Sequence, residues 1–294
     1  MSHAVSSRSA PRIAATPLAP TSIAQRRLVG RDFTAIATVE VQPEELARVV
    51  AAPEQFSVAA KATVIKRGRS ALIVRVDLPI GSVETRTAYK LCGGRTWLRR
   101  LARGLKTSAA RRNFQLGHKL LRCGIDTPRP LLAVSPRWHN VLSPSFLATE
   151  WIEGGLPLDV FVNRAAAWTP AQRRARMRDT AQCLGRLIGT LHKYRFSHRD
   201  LKSTNLLLRE NGGRVEAFLI DLDGATRSPF PLERTRLKNL SRLQTATSRI
   251  AGVSSTLRCR FLQSYLATLG SSANWKTVWR QLQKASRIPP LRNS

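Results

Sequence analysis

The chain has 294 residues, with 49 Lys and Arg against 18 Asp and Glu, a formal net charge of +31 and 43% hydrophobic residues. That size and apolar content exclude a wholly disordered chain and allow one large or two modest domains, while the charge calls for a polyanionic partner: nucleic acid, an anionic membrane or a phosphorylated substrate. Cys92, Cys123, Cys183 and Cys259 lie too far apart for a close-spaced zinc site or a disulfide framework, which fits a reducing cytosol, and no run approaches the ~20 apolar residues of a membrane span.

Residues 1–30 are rich in Ser, Ala, Pro and Arg with no acid before Asp32, and read as a disordered basic arm. An organelle transit peptide has the same composition. Residues 43–50 predict a short helix with Glu44 and Glu45 in its first turn. The β-branched content then rises, and Thr63–Ile65, Leu72–Val76 and Thr85–Leu91 predict three successive antiparallel strands. The first turn holds one glycine, Gly68, among Lys66, Arg67 and Arg69; the third strand carries Lys90 in Thr-Ala-Tyr-Lys.

Residues 95–112 carry seven Lys and Arg and no acid, with Trp97, Leu98, Leu101 and Leu105 at helical spacing. This suits a helix lying on an anionic bilayer, and equally a surface helix docking its Leu stripe on the protein. Arg112–Cys123 predicts a further helix stopped by Gly124. No glutamate lies on it, and Asn113 is its nearest polar candidate. Two prolines keep 125–130 extended; 131–134 and 145–150 read as strands, and Trp151-Ile152-Glu153-Gly154-Gly155 as a linker. Thr169-Pro170-Ala171-Gln172 combines an N-cap, a first-turn proline and a capping-box glutamine, followed by apolar residues at helical spacing to Leu191, with His192 ending the helix.

Next comes the most informative stretch, His198-Arg199-Asp200-Leu201-Lys202-Ser203-Thr204-Asn205, followed by two apolar runs about an Asn-Gly step and then Ile220-Asp221-Leu222-Asp223-Gly224. A hairpin at that step returns Asp221 to the end where Asp200 and Asn205 sit. Two carboxylates, a carboxamide and Lys202 then converge, a set suited to phosphoryl transfer from a magnesium–nucleotide complex. The spacing His-Arg-Asp-x-Lys-x-x-Asn is the kinase catalytic-loop signature. A polar loop in which Asp200 caps a turn is the bland alternative. In a kinase, Gly68 would cover the nucleotide, Lys90 would hold its phosphates with Asn113 in place of the usual glutamate partner, and the backbone of 150–153, Glu150 and Ile152 among it, would meet the adenine. Only 70 residues follow Gly224, with helical patterns at 237–243, 257–269 and 275–285.

The chain resembles the bacterial lipopolysaccharide core kinases of Kdo/heptose kinase type, through Tyr89-Lys90, the basic 97–112 segment, Gly124–Pro128, His198–Asn205, Ile220–Asp223 and Arg258–Leu266. The resemblance covers about residues 60–270. It implies an α+β, bilobal protein-kinase-like fold: a small antiparallel-sheet N-lobe over 31–152 and a mainly helical, shortened C-lobe over 153–294. It implies ATP-dependent phosphorylation of an inner-core sugar at the cytoplasmic face of the membrane, with peripheral attachment. Asp200 would be the catalytic base with Lys202 beside it, Asn205 and Asp221 magnesium ligands with Asp223 added to that set, and Lys90 the nucleotide-phosphate ligand. The missing helix acid leaves a polyanion-binding pseudokinase open. A protein Ser/Thr kinase is disfavoured by the short tail, a small-metabolite phosphotransferase by the positive charge, and nucleic acid is the less favoured partner.

Overall fold

The computed structural model describes residues 24–59, 62–68, 71–81, 83–92, 107–140, 143–230, 233–248 and 250–286. Its N-terminal half contains β1 (Gln25–Val29), β2 (Phe33–Thr38), α1 (Pro43–Ala51), α2 (Gln55–Val58), β3 (Thr63–Arg67), β4 (Ala71–Ile80), β5 (Val83–Cys92), α3 (Ala109–Arg122), β6 (Pro130–Pro136) and β7 (Ser145–Glu150). The strands form one antiparallel sheet in the order β1-β2-β6-β7-β5-β4-β3. Period-two alternation gives it two apolar faces. Phe33, Ala35, Ala37, Val74, Val76, Tyr89, Phe146 and Ala148 pack with Leu46, Val49 and Val50 of α1. On the opposite face, Ile36, Ala133 and Leu147 meet Ala110 and Phe114 of α3. Lys90 pairs with Leu147 in the β5–β7 ladder and follows Tyr89, so the alternation turns it toward α3.

Two sequence expectations need correction. Gln25–Val29, assigned by composition to the disordered arm, form an edge strand in register from Gln25↔Thr38 to Val29↔Thr34, with Leu28 packed on the core. Backbone pairing with a distant strand supplies the order that composition does not register. The helix expected from Arg112 begins three residues earlier, because Ser108 Oγ accepts from the Arg111 N–H at 3.2 Å and caps it. Gly124 stops it as expected, at φ 68°. The cationic stretch 95–106, with Trp97, lies outside the described residues.

The C-terminal half contains β8 (Leu156–Pro157), α4 (Leu158–Asn163), α5 (Pro170–Lys193), β9 (Phe196–His198), β10 (Leu206–Asn211), β11 (Arg214–Leu219), β12 (Ala225–Arg227), α6 (Glu233–Ser248), α7 (Ser255–Leu269) and α8 (Trp275–Ser286). Thr169 and Gln172 form the expected capping box of α5, whose Leu184, Ile188 and Leu191 enter a second core with the β10–β11 hairpin, α6 and α7. Gly185 and Gly189 let α7 approach: a Cβ at either would lie within 3 Å of the Phe261 or Tyr265 carbonyl oxygen. Leu120 of α3 and Ile125 belong to this second core, tying the two halves together. Each such buried side chain contributes about 2 kcal/mol, more than the 0–1 kcal/mol of an exposed ion pair such as Arg86–Glu153 across the linker.

Candidate active site

The hairpin assembles the site. β10 and β11 pair from Leu206↔Leu219 to Asn211↔Arg214, and the two loop residues are Gly212 and Gly213 at φ 56° and 78°. Positive φ at both positions is what a tight hairpin turn of this length requires. The turn therefore lies one residue beyond the Asn-Gly step, with Asn211 still paired. At the open end, Ile220 N–H donates to the Asn205 carbonyl (3.0 Å), which places Asn205 and Asp221 side by side. Asn205 Nδ2 donates to the Asp200 carbonyl (2.8 Å) and to Asp200 Oδ2 (3.3 Å), and Lys202 Nζ lies 2.7 Å from the same carboxylate oxygen. Partial burial pushes the Asp200 carboxyl up, but the hydrogen bond and charge of Lys202, with Asn205, outweigh it and leave the pKa lowered. Asp200 is thus ionised at neutral pH.

Lys90 reaches the same place from the sheet. Its Nζ donates to Asp221 Oδ1 (2.6 Å) and to Asp223 Oδ2 (2.7 Å). Burial disfavours its charge, but the two carboxylates more than compensate, so the ammonium is held above the ordinary lysine range. Asn113, expected to stand beside the lysine in place of a glutamate, instead gives its Nδ2 to Asp223 Oδ1 (2.7 Å), and Arg112 adds a 3.3 Å contact to that oxygen. The counter-charge absent from the helix is supplied by the Asp-Leu-Asp triplet. Burial raises Asp223, yet Lys90, Asn113 and Arg112 bring its pKa below the usual value.

Asp221 adopts the left-handed backbone at φ 59°, ψ 63°, a conformation that costs a non-glycine residue about 1–2 kcal/mol. His198 holds it there: Nε2 donates to the Asp221 carbonyl at 2.9 Å, and Arg199 N–H bonds the Gly224 carbonyl at 2.9 Å. The histidine is fixed in turn. Asn239 Oδ1 on α6 accepts from the His198 backbone N–H (3.0 Å) and lies 3.2 Å from His192 Nε2, while His192 Nδ1 lies 2.9 Å from the Tyr265 hydroxyl. His192, read as a helix terminator, is a fully buried member of this relay. Sequence reasoning assigned no role to His198, Asn239 or Tyr265; His198 lies inside the signature, but nothing local marks the others.

At the linker, Glu150 N–H is committed to the Arg129 carbonyl (2.8 Å) and Trp151 N–H to the Arg86 carbonyl (3.1 Å). The Ile152 N–H has no backbone partner among the described residues, and neither do those of Glu153 and Gly154. Gly68 sits at the β3–β4 turn, its N–H bonded to the Ala71 carbonyl at 2.9 Å; Arg69 and Ser70 lie outside the described residues.

The donor set fits magnesium. Asp221 Oδ2 accepts no hydrogen bond among the described residues, and Asn205 spends its amide donors on Asp200, leaving its carbonyl oxygen. Both are hard oxygen ligands. Among the described residues no three His, Cys, Asp or Glu gather as a metal cage.

The chain is similar in sequence and in fold to known proteins. A 3-deoxy-D-manno-octulosonic acid kinase of Xylella fastidiosa (strain 9a5c) is 31% identical over 140 residues, covering 47% of this chain and 50% of that protein. The EKC/KEOPS complex subunit bud32 of Aspergillus clavatus is 31% identical over 108 residues, 32% of this chain and 38% of that protein. The chain thus spans about half or less of the length of these curated relatives. A solved structure described as WaaP in complex with acyl carrier protein superposes with a TM-score of 0.59 at 18% identity, covering 84% of this chain and 97% of that one, so the fold is kinase-like. The model of the lipopolysaccharide kinase (Kdo/WaaP) family matches residues 89–265, from the strand that carries Lys90 to the helix that carries Tyr265, and the chain belongs to that family.

Proposed function

We propose that the protein is an ATP-dependent phosphotransferase acting on a sugar hydroxyl of a lipopolysaccharide core or a similar anionic glycolipid. The observation that carries this reading is the convergence of Lys90, Asp221, Asn205 and Asp200–Lys202 at one end of the β10–β11 hairpin. Asp200, ionised, accepts a hydrogen bond from the acceptor hydroxyl and takes its proton as the new oxygen–phosphorus bond forms and the bond to the departing ADP oxygen breaks. Lys202 faces the transferred group and offsets its charge. Lys90 orients the nucleotide phosphates, and the Ile152 N–H meets the adenine. Magnesium, held by Asp221 and Asn205, would neutralise charge on the phosphates.

The curated relatives named for 3-deoxy-D-manno-octulosonic acid suggest an acidic core sugar as acceptor, and the +31 chain suits such a substrate at the anionic cytoplasmic face of the membrane. No helix among the described residues is long and apolar enough to cross a membrane, so attachment there would be peripheral. The decisive assay is transfer of radiolabel from γ-labelled ATP to total cell-envelope glycolipid. Label on glycolipid that disappears in Asp200→Ala supports the reading; label on protein instead would point to a protein Ser/Thr kinase. By analogy with the solved WaaP complex, an acyl carrier protein is a further candidate partner; co-elution of the two proteins would support it and separate elution would overturn it.

A further inference from the structure

The two carboxylates of Asp-Leu-Asp differ in how they are held. Asp223 has both oxygens engaged: Oδ2 by Lys90 at 2.7 Å, Oδ1 by Asn113 at 2.7 Å and Arg112 at 3.3 Å. Asp221 gives only Oδ1 to Lys90, and its other oxygen accepts nothing among the described residues. With three donors on its two oxygens, the Asp223 carboxylate has most of its roughly four lone-pair sites occupied, and the ammonium and guanidinium beside it set up a local field that repels a cation. Asn113 is itself nearly inaccessible, and its Oδ1 has no partner, so the amide is oriented by its bond to Asp223. The tie spans distant chain segments: Lys90 on the sheet, Asn113 and Arg112 on α3, Asp223 after the hairpin.

We propose that Asp223 is the fixed counter-ion of Lys90, the role a glutamate of this helix has in protein kinases, that Asn113 and Arg112 are the residues positioning it, and that Asp221 alone of the two carboxylates serves the metal. The proposal rests on the kinase reading above. It moves the lysine's anchor from the helix to the loop after the hairpin and reverses the donor and acceptor: the helix contributes N–H groups and the loop contributes the charge. It also separates two functions within three residues of chain, since loss of Asp223 loosens the lysine and loss of Asp221 loosens the metal.

The test is equilibrium binding of a fluorescent ATP analogue to the full chain, with magnesium and with a chelator, for wild type, Asp223→Asn, Asp221→Asn and the transposed pair Asn113→Asp/Asp223→Asn. Asp223→Asn is expected to weaken nucleotide binding on the order of tenfold both with and without magnesium, as loss of a charge-assisted contact does. The magnesium concentration for half-saturation stays at the wild-type value. The transposed pair recovers most of the lost affinity, and Asp221→Asn raises the magnesium requirement. Arg112→Ala, at a half-exposed side chain that leaves the core intact, weakens metal-free binding in the same direction as Asp223→Asn. An Asp223→Asn variant with unchanged metal-free affinity, or with a magnesium requirement raised as far as in Asp221→Asn, overturns the proposal while leaving the kinase reading intact. A wild-type chain that binds no ATP under either condition overturns both.

Discussion

Asp200 is tied to Lys202 and Asn205 on one side and faces open space on the other, so its removal should cost chemistry and spare binding. Asp200→Ala is expected to lower kcat by ~10²–10⁴ with ATP affinity unchanged, which single-turnover transfer and nucleotide titration would separate. Near-wild-type turnover would sink the assignment of the base. Lys90→Met should act at the other step. Deleting the ammonium leaves Asp221 and Asp223 as two facing carboxylates without their shared counter-charge, so nucleotide binding weakens through lost phosphate contact and through repulsion. Isothermal titration with ATP would show this as lower affinity, and unchanged affinity would mean that β5 does not face the nucleotide.

Among the elements, α6 contributes to the site indirectly, through Asn239. Its side-chain oxygen receives two donors from two other elements, so Asn239→Leu should leave the His198 N–H and His192 unsatisfied in a buried setting and cost about 1–3 kcal/mol in urea unfolding. Turnover should fall as well, because His198 would no longer hold the left-handed Asp221 in place. The same relay predicts a pH effect. Burial, with a smaller contribution from Arg236, lowers the His192 pKa to about 4 despite the bond to Asn239. The folded imidazole is therefore neutral while the unfolded one takes up a proton as the pH falls through about 6.5. Stability from this group is complete above that pH and is lost between there and about 4, by on the order of 3 kcal/mol in all. Unfolding free energies across that range should flatten in His192→Gln; an unchanged slope would place the acid sensitivity in other groups.

The whole molecule carries a formal net charge of +31. Each Lys or Arg near an anionic bilayer contributes ~1 kcal/mol at best, so a few engaged side chains give reversible attachment that salt reverses. The protein should therefore sediment with anionic vesicles and not with neutral ones, and Arg99, Arg100 and Arg103 replaced by Glu should release it while ATP binding persists. Full sedimentation of that triple variant at moderate salt would place the contact outside the 95–112 segment. The field behind such attachment is a sum over the surface and not a property of one pair.

Local signals make much of this protein legible in its amino-acid sequence. The spacing from His198 to Asn205, the Gly-rich turn and the second Asp after a second apolar run lie within 30 residues, so backbone geometry alone brings Asp200, Asn205 and Asp221 together. The capping box at Thr169 and the stop at Gly124 are likewise decided by a few neighbouring residues. What local signals leave open is every choice among distant partners. Gln25–Val29 is a strand only because Phe33–Thr38 is there to pair with it, and His192 is part of a relay because α6 and α7 bring Asn239 and Tyr265 to its two nitrogens. The partner of Lys90 is the plainest case. Asn113 and the two aspartates are all polar groups of suitable type, separated from the lysine by 23, 131 and 133 positions. Which of them lies within hydrogen-bond reach depends on how α3 packs against the sheet and the hairpin, and that packing is a property of the folded chain as a whole.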